Sequence, residues 1–149
     1  MIKTNWNTGS NDSITFSNII EQIKKHTLLK GTVYIGTDSF FIKDDCIFAT
    51  AICLYGADNQ QGGRYFFTKS RINKNKFPEL SIRMIKEAEN TINLSNTIMD
   101  EVPNAMLELH LDISPQENNE GTSHLAKMLV GYVKGSGYEC KIKPYAFAA

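Results

Sequence analysis

The sequence predicts an α/β domain built on a mixed sheet. Three observations predict it. Three strand-like runs follow one another across short polar links, two amphipathic helical runs come after them, and a strand-like run follows each of those helices. The resulting order, β-β-β-α-β-α-β, is the pattern of a mixed sheet with helices packed against it. A chain of 149 residues suits one compact domain spanning residues 1–149. With 42% hydrophobic and 21% charged residues it lies near globular averages, and a domain of this size buries a sizeable core without disulfides or a structural metal.

Residues 1–12 read as an irregular polar arm that Trp6 tacks onto the body. Residues 13–30 then read as an N-terminal helix, because Phe16, Ile19, Ile20 and Ile23 recur at helical spacing. Ser13, Thr15 or Ser17 can cap its start and Gly31 can end it. His26, late in this helix, is placed to favour the helix C-terminus as a charge. "TVYIGTDS", "CIFATAICLYG" and "GRYFFTKSRI" are the three consecutive strands, and their short links imply antiparallel hairpins. Pro78 suits the first turn of the helix opened by "NKNKFPEL", whose stripe is Leu80, Met84, Ile85, Ala88 and Ile92, extended by Ser95 and Met99. "AMLELHLDIS" is the fourth strand, with Leu107, Leu109 and Leu111 on one face. "TSHLAKMLVGYVKGSGY" is a helix capped by Thr122 or Ser123, and "ECKIKPYAFAA" is the fifth strand.

Charge narrows the partners. The formal net charge is zero, which argues against a strongly basic nucleic-acid binder. The distribution is uneven: Arg64, Lys69, Arg71, Lys74 and Lys76 lie between Asp58 and Glu79 with no acid among them, and the segment between Lys86 and Lys127 carries acids only. Two solvated faces explain this as well as a binding surface does. Cys46, Cys53 and Cys140 are odd in number and lack metal-ligand spacing. No run is apolar enough to cross a membrane and the N-terminus does not read as a signal peptide, so a cytoplasmic setting is expected.

The question in this sequence is Asp38. It closes a strand otherwise built for the core, and Asp112 stands near the end of the fourth strand. A carboxylate buried alone is costly. Two acids on neighbouring strand ends become reasonable when a divalent cation lies between them, and hard oxygen ligands suit Mg2+ or Mn2+.

Four motifs carry a resemblance: "GTDS" at 36–39, Arg83 with Glu87 as R-x-x-x-E, "HLDIS" at 110–114, and the glycine, Lys143–Pro144 and double alanine of residues 137–149. In order and spacing the chain from about residue 30 onward resembles the ribonuclease H-like superfamily, and within it the YkuK-type bacterial family. The resemblance implies a five-stranded mixed sheet of order 3-2-1-4-5, with strand 2 antiparallel to the rest and helices on both faces, so that Asp38 and Asp112 face one pocket. It implies two-metal phosphodiester hydrolysis with Asp38, Asp112 and Glu87 as catalytic metal ligands, Glu79 being the alternative helix acid.

The family pattern continues into a last helix bearing another aspartate, whereas no acid follows Glu139 here. Glu117, Glu120, a partner chain or nothing takes that place. Substrate contacts are expected from Ser39, His110, Lys143, Arg71 and Lys74. Each has a plainer alternative: Ser39, or Thr37 beside it, as a turn cap, His110 as a core histidine, and the cations as solvated surface. Two functions follow, a metal-dependent nuclease acting on RNA, DNA or a hybrid, or an inactive nucleic-acid- or protein-binding module. The third predicted strand would be a sheet edge through which a dimer can pair.

Overall fold

The computed structural model describes residues 5–113 and 120–149, the first four residues of the last helix by backbone alone. In chain order the elements are β1 (Trp6–Thr8), β2 (Ser13–Ile14), α1 (Phe16–Leu28), β3 (Thr32–Ile42), β4 (Asp45–Tyr55), β5 (Arg64–Asn73), a 3-10 turn (Lys74–Lys76), α2 (Leu80–Glu101), β6 (Met106–Leu111), α3 (Glu120–Gly135) and β7 (Glu139–Lys141). Among the described residues the sheet has seven strands rather than five, in the order β2-β1-β5-β4-β3-β6-β7. β4 is antiparallel to β3 and β5, while β6 is parallel to β3 and β7 to β6.

The two additional strands come from the arm expected to be irregular. Trp6 pairs with Ile14, and Asn7 and Thr8 pair with Phe67 and Phe66 on the outer side of β5. β4 is therefore not the sole reversed strand, and the third predicted strand is not the sheet edge. The Trp6 side chain is buried and its ring centroid lies 5.9 Å from that of Phe16. Because residues 13–14 join the sheet, the first helix starts at Phe16, with the Thr15 hydroxyl accepting the Asn18 N–H at 3.1 Å. Just past the helix, Lys30, not a glycine, takes the left-handed region (φ 62°). His26 is buried and its Nε2 lies 2.9 Å from the Thr32 carbonyl, so its role is a hydrogen bond into β3 rather than a surface charge.

Among the described residues, helices pack on one face only, not both. Ile19, Ile20 and Ile23 of α1 and Ile98 of α2 cluster with Val33, Ile35, Ile52, Leu54 and Phe66. Met84, Ala88 and Ile92 of α2 and Ala126, Leu129 and Val133 of α3 cluster with Leu109, Leu111 and Ile113. Strand side chains alternate between faces, so all these strand residues share one side of the sheet. Burying each of the larger of these side chains, from Val to Phe, contributes about 1.5–3 kcal/mol. The opposite side carries Tyr34, Gly36, Asp38 and Phe40 of β3 and His110 of β6. There the covering chain is the segment after β7, with Phe147 and Ala148 against Tyr34 and His110.

One mismatch of length positions the site. β3 pairs with β6 only from Thr32–Met106 to Thr37–Leu111, yet β3 continues with β4 as far as Ile42. Where β6 stops, Asp38 and Asp112 stand beside each other at the opening.

Candidate active site

Asp38 accepts the Ser39 backbone N–H at 2.9 Å on Oδ1. Its carboxyl is held above the usual carboxylate range by burial first, then by the hydrogen bond and the charge of Asp112. Asp112 goes the other way. Burial pushes it up, but the hydrogen bonds from Lys143 and Asp38 and the positive charges of Lys143 and Arg83 outweigh burial and hold it low. The two carboxyls thus act on each other directly, with opposite outcomes. Lys143 makes an ion pair with Asp112, held there because its backbone N–H donates to the Ile113 carbonyl at 2.9 Å.

Glu87 comes from the helix-covered side. It is buried, and the Ser39 hydroxyl donates to its Oε2. Burial pushes its carboxyl up to about 7, with the charges of Asp38 and Asp112 adding to the rise and Ser39 and Arg83 opposing it. Ser39 thus orients an acid, and its hydroxyl is not turned toward the Asp38–Asp112 side. Thr37 is likewise a packing residue: its hydroxyl lies 3.0 Å from that of Thr50 and accepts from Thr91 at 2.8 Å.

His110 is fully buried and does not relay protons to the pair. Its Nδ1 accepts the backbone N–H groups of Phe147 and Ala148 at 3.0 and 3.1 Å, so Nε2 carries the hydrogen, donated to Glu108 Oε1 at 2.9 Å. Gly36, opposite His110 across the β3–β6 pair, lets this segment lie flat. A Cβ there would stand 2.7 Å from the carbonyl carbon and oxygen of Ala148.

The other expected residues lie elsewhere. Glu79 is the exposed N-cap of α2, more than two turns before Glu87. Arg71 pairs with Asp45 at 3.4 Å and Lys74 with Asp44 at 3.7 Å, both outside the acid cluster. Glu117 lies outside the described residues, as do Ser114 and the side chains of Glu120, Thr122 and Ser123. Arg83 was not expected to belong to the site. Its guanidinium lies 4.7 Å from the Phe41 ring centroid, its charge acts on Glu87 and Asp112, and its Nε is buried with no hydrogen-bond partner among the described residues. The R-x-x-x-E spacing, one helical turn, was the signal for it.

The donor chemistry at Asp38 and Asp112 fits a hard divalent cation, whose charge would offset the repulsion of two carboxylates. Among the described residues no three His, Cys, Asp or Glu side chains stand together as a metal-holding group. The acid pair comes with an ammonium, and Glu87 is turned to Ser39. Cys46, Cys53 and Cys140 are free thiols. Among the described residues no helix is long and apolar enough to cross a membrane.

No curated protein and no solved structure matches the chain. A family model described as Ribonuclease H-like matches residues 15–149, all but the first strands. With that match on the sheet, and with Asp38 and Asp112 at the opening between its parallel central strands, the chain belongs to the ribonuclease H-like family of the YkuK type.

Proposed function

We propose that the protein is a cytoplasmic metal-dependent nuclease that hydrolyses phosphodiester bonds in RNA, DNA or a hybrid. Asp38 and Asp112 would hold Mg2+ or Mn2+, and Glu87 would join them by leaving Ser39. A bound cation would supply charge stabilisation at the phosphoryl oxygens and an activated water. Glu87, with its carboxyl pushed up to about 7, is able to take or give a proton near neutral pH. Lys143 would move from Asp112 toward a phosphate oxygen as the cation enters. The observation that carries this reading is the side-by-side placement of Asp38 and Asp112, close enough to act on each other's carboxyl although they are distant in sequence. A non-catalytic nucleic-acid- or protein-binding module is the second reading. The Lys143–Asp112 ion pair favours it, because the ammonium already neutralises a carboxylate that a cation would use.

Thermal melting with Mn2+ separates the two. At one hundred times its Kd, a specific ligand stabilises by about 2.7 kcal/mol, a rise of roughly 5–10 °C for a chain of this size. Wild type should show the rise and Asp38→Asn should not. Equal responses would remove the metal assignment. Labelled single-stranded, duplex and hybrid substrates then decide: cleavage lost in Asp38→Asn supports the nuclease, and binding without cleavage supports the second reading.

A further inference from the structure

The strand register lays out the face that no helix among the described residues covers. The row through Asp38 continues across Ala49 to Lys69. On one side of it, Phe40 and Ile47 lead to Arg71; on the other, Gly36 and Ala51 lead to Phe67. Neighbouring strands are about 4.8 Å apart, so Lys69 stands about 10 Å from Asp38 across a floor of small alanine side chains. Aromatic rings rise beside that floor: Tyr65 is 48% and Phe40 37% exposed, and Lys69 Nζ lies 6.0 Å from the Phe67 ring centroid. A groove of about 240 Å³ lined by Phe40, Ile42, Ile47, Lys69, Ser70 and Arg71 opens at this place.

Charge says what fits. The cations Lys69 and Arg71 flank the floor. The Asp45 that pairs with Arg71 is a partly exposed partner, and such pairs yield readily to a stronger one. Glu108 and Glu139 share a row at the opposite end of the face. A cationic rim beside exposed rings suits a polyanion whose flat groups are free to stack, which is an unpaired nucleic-acid strand. In a duplex the bases are already stacked and paired, and their faces are not available.

We infer that the part of this sheet face left open by the C-terminal segment is a docking track for single-stranded nucleic acid, with Lys69 and Arg71 on its phosphates and Phe40 and Tyr65 against its bases, leading to Asp38. This rests on the proposed hydrolytic reading of the acid pair, for which it supplies the path of the substrate.

The test uses the Asp38→Asn chain in EDTA, so that nothing is cut, with fluorescence anisotropy of a labelled single strand and its matched duplex. The single strand should bind at least tenfold tighter than the duplex. Replacing Lys69 and Arg71 together by Ala should weaken it at least tenfold and reduce the salt slope by about 1.4. Phe40→Ala should weaken it about fivefold or more. Lys127→Ala, on exposed α3, should change nothing. Equal or tighter duplex binding, or an unchanged affinity in the double variant, overturns the inference. So does a dimer in sedimentation that Phe40→Ala splits while strand affinity stays the same, since the face then belongs to a second copy. A protein that binds strands here but neither takes Mn2+ nor cuts keeps this inference and loses the hydrolytic reading. One that cuts regardless of Lys69 and Arg71 does the reverse.

Discussion

Glu87 offers the most quantitative test of how the site is built. Its carboxyl is buried and pushed from an ordinary value of 4.5 up to about 7, chiefly by loss of water. A carboxyl raised on folding stabilises the fold fully below its unfolded value, and that contribution is lost as pH rises through the folded value. Stability should therefore fall between about pH 4.5 and pH 7 and level off above. A tenfold change in proton affinity corresponds to about 1.36 kcal/mol, so the whole span amounts to roughly 3 kcal/mol. Glu87→Gln keeps an acceptor for Ser39 and removes the titration. Asp38 and Asp112 titrate in both chains, so the difference isolates Glu87 to first order. Thermal melting of both chains in EDTA from pH 4.5 to 8 should show the wild type losing on the order of 10 °C relative to Glu87→Gln. Parallel curves would refute the argument and mean that Glu87 reaches water.

Three further outcomes follow from the same geometry. Gly36→Ala places a methyl group against the Ala148 main chain and should cost about 1–3 kcal/mol, with faster hydrogen exchange at the Phe147 and Ala148 amides; unchanged exchange would contradict the contact. Lys143→Met removes a cation beside Asp112 and should tighten Mn2+ binding by calorimetry about fivefold, from roughly 1 kcal/mol of relieved repulsion; weaker binding would show that Lys143 assists the cation. Thr37→Val breaks the buried hydroxyl chain between Thr50 and Thr91 and should lower stability by about 1–3 kcal/mol in urea unfolding; a neutral result would mean that the threonines repartner.

The central strands and α2 were legible because alternation and helical periodicity are local signals. β1 and β2 were not. Three and two residues carry no period of their own, and they are strands only because Asn7 and Thr8 find the outer side of β5. Nor does an amphipathic stripe tell which side of a sheet a helix covers, so helices on both faces was a natural expectation that the clustering of α1, α2 and α3 on one side corrects. Along α2, counting apolar residues missed Glu87 and Thr91 and reached Ser95 only as an extension of the stripe. These polar side chains are as buried as Ala88 because hydrogen bonds to Ser39, Thr37 and the helix backbone offset their desolvation. The acid pair was suggested by two strand ends and a family resemblance. Lys143 was expected near the pocket but on a phosphate; its pairing with Asp112 was not legible, because residues beyond β7 are placed by tertiary contacts with Ile113 and His110.

The two main-chain amides gathered on one imidazole nitrogen have a chemical corollary. A lone pair that serves Phe147 and Ala148 has nothing left for an incoming proton, and burial lowers the affinity of His110 for one. Acidification sufficient to charge that ring must first eject the chain segment resting on it. In this protein the histidine of the H-x-D motif is a rivet joining the last residues to the strand that bears Asp112.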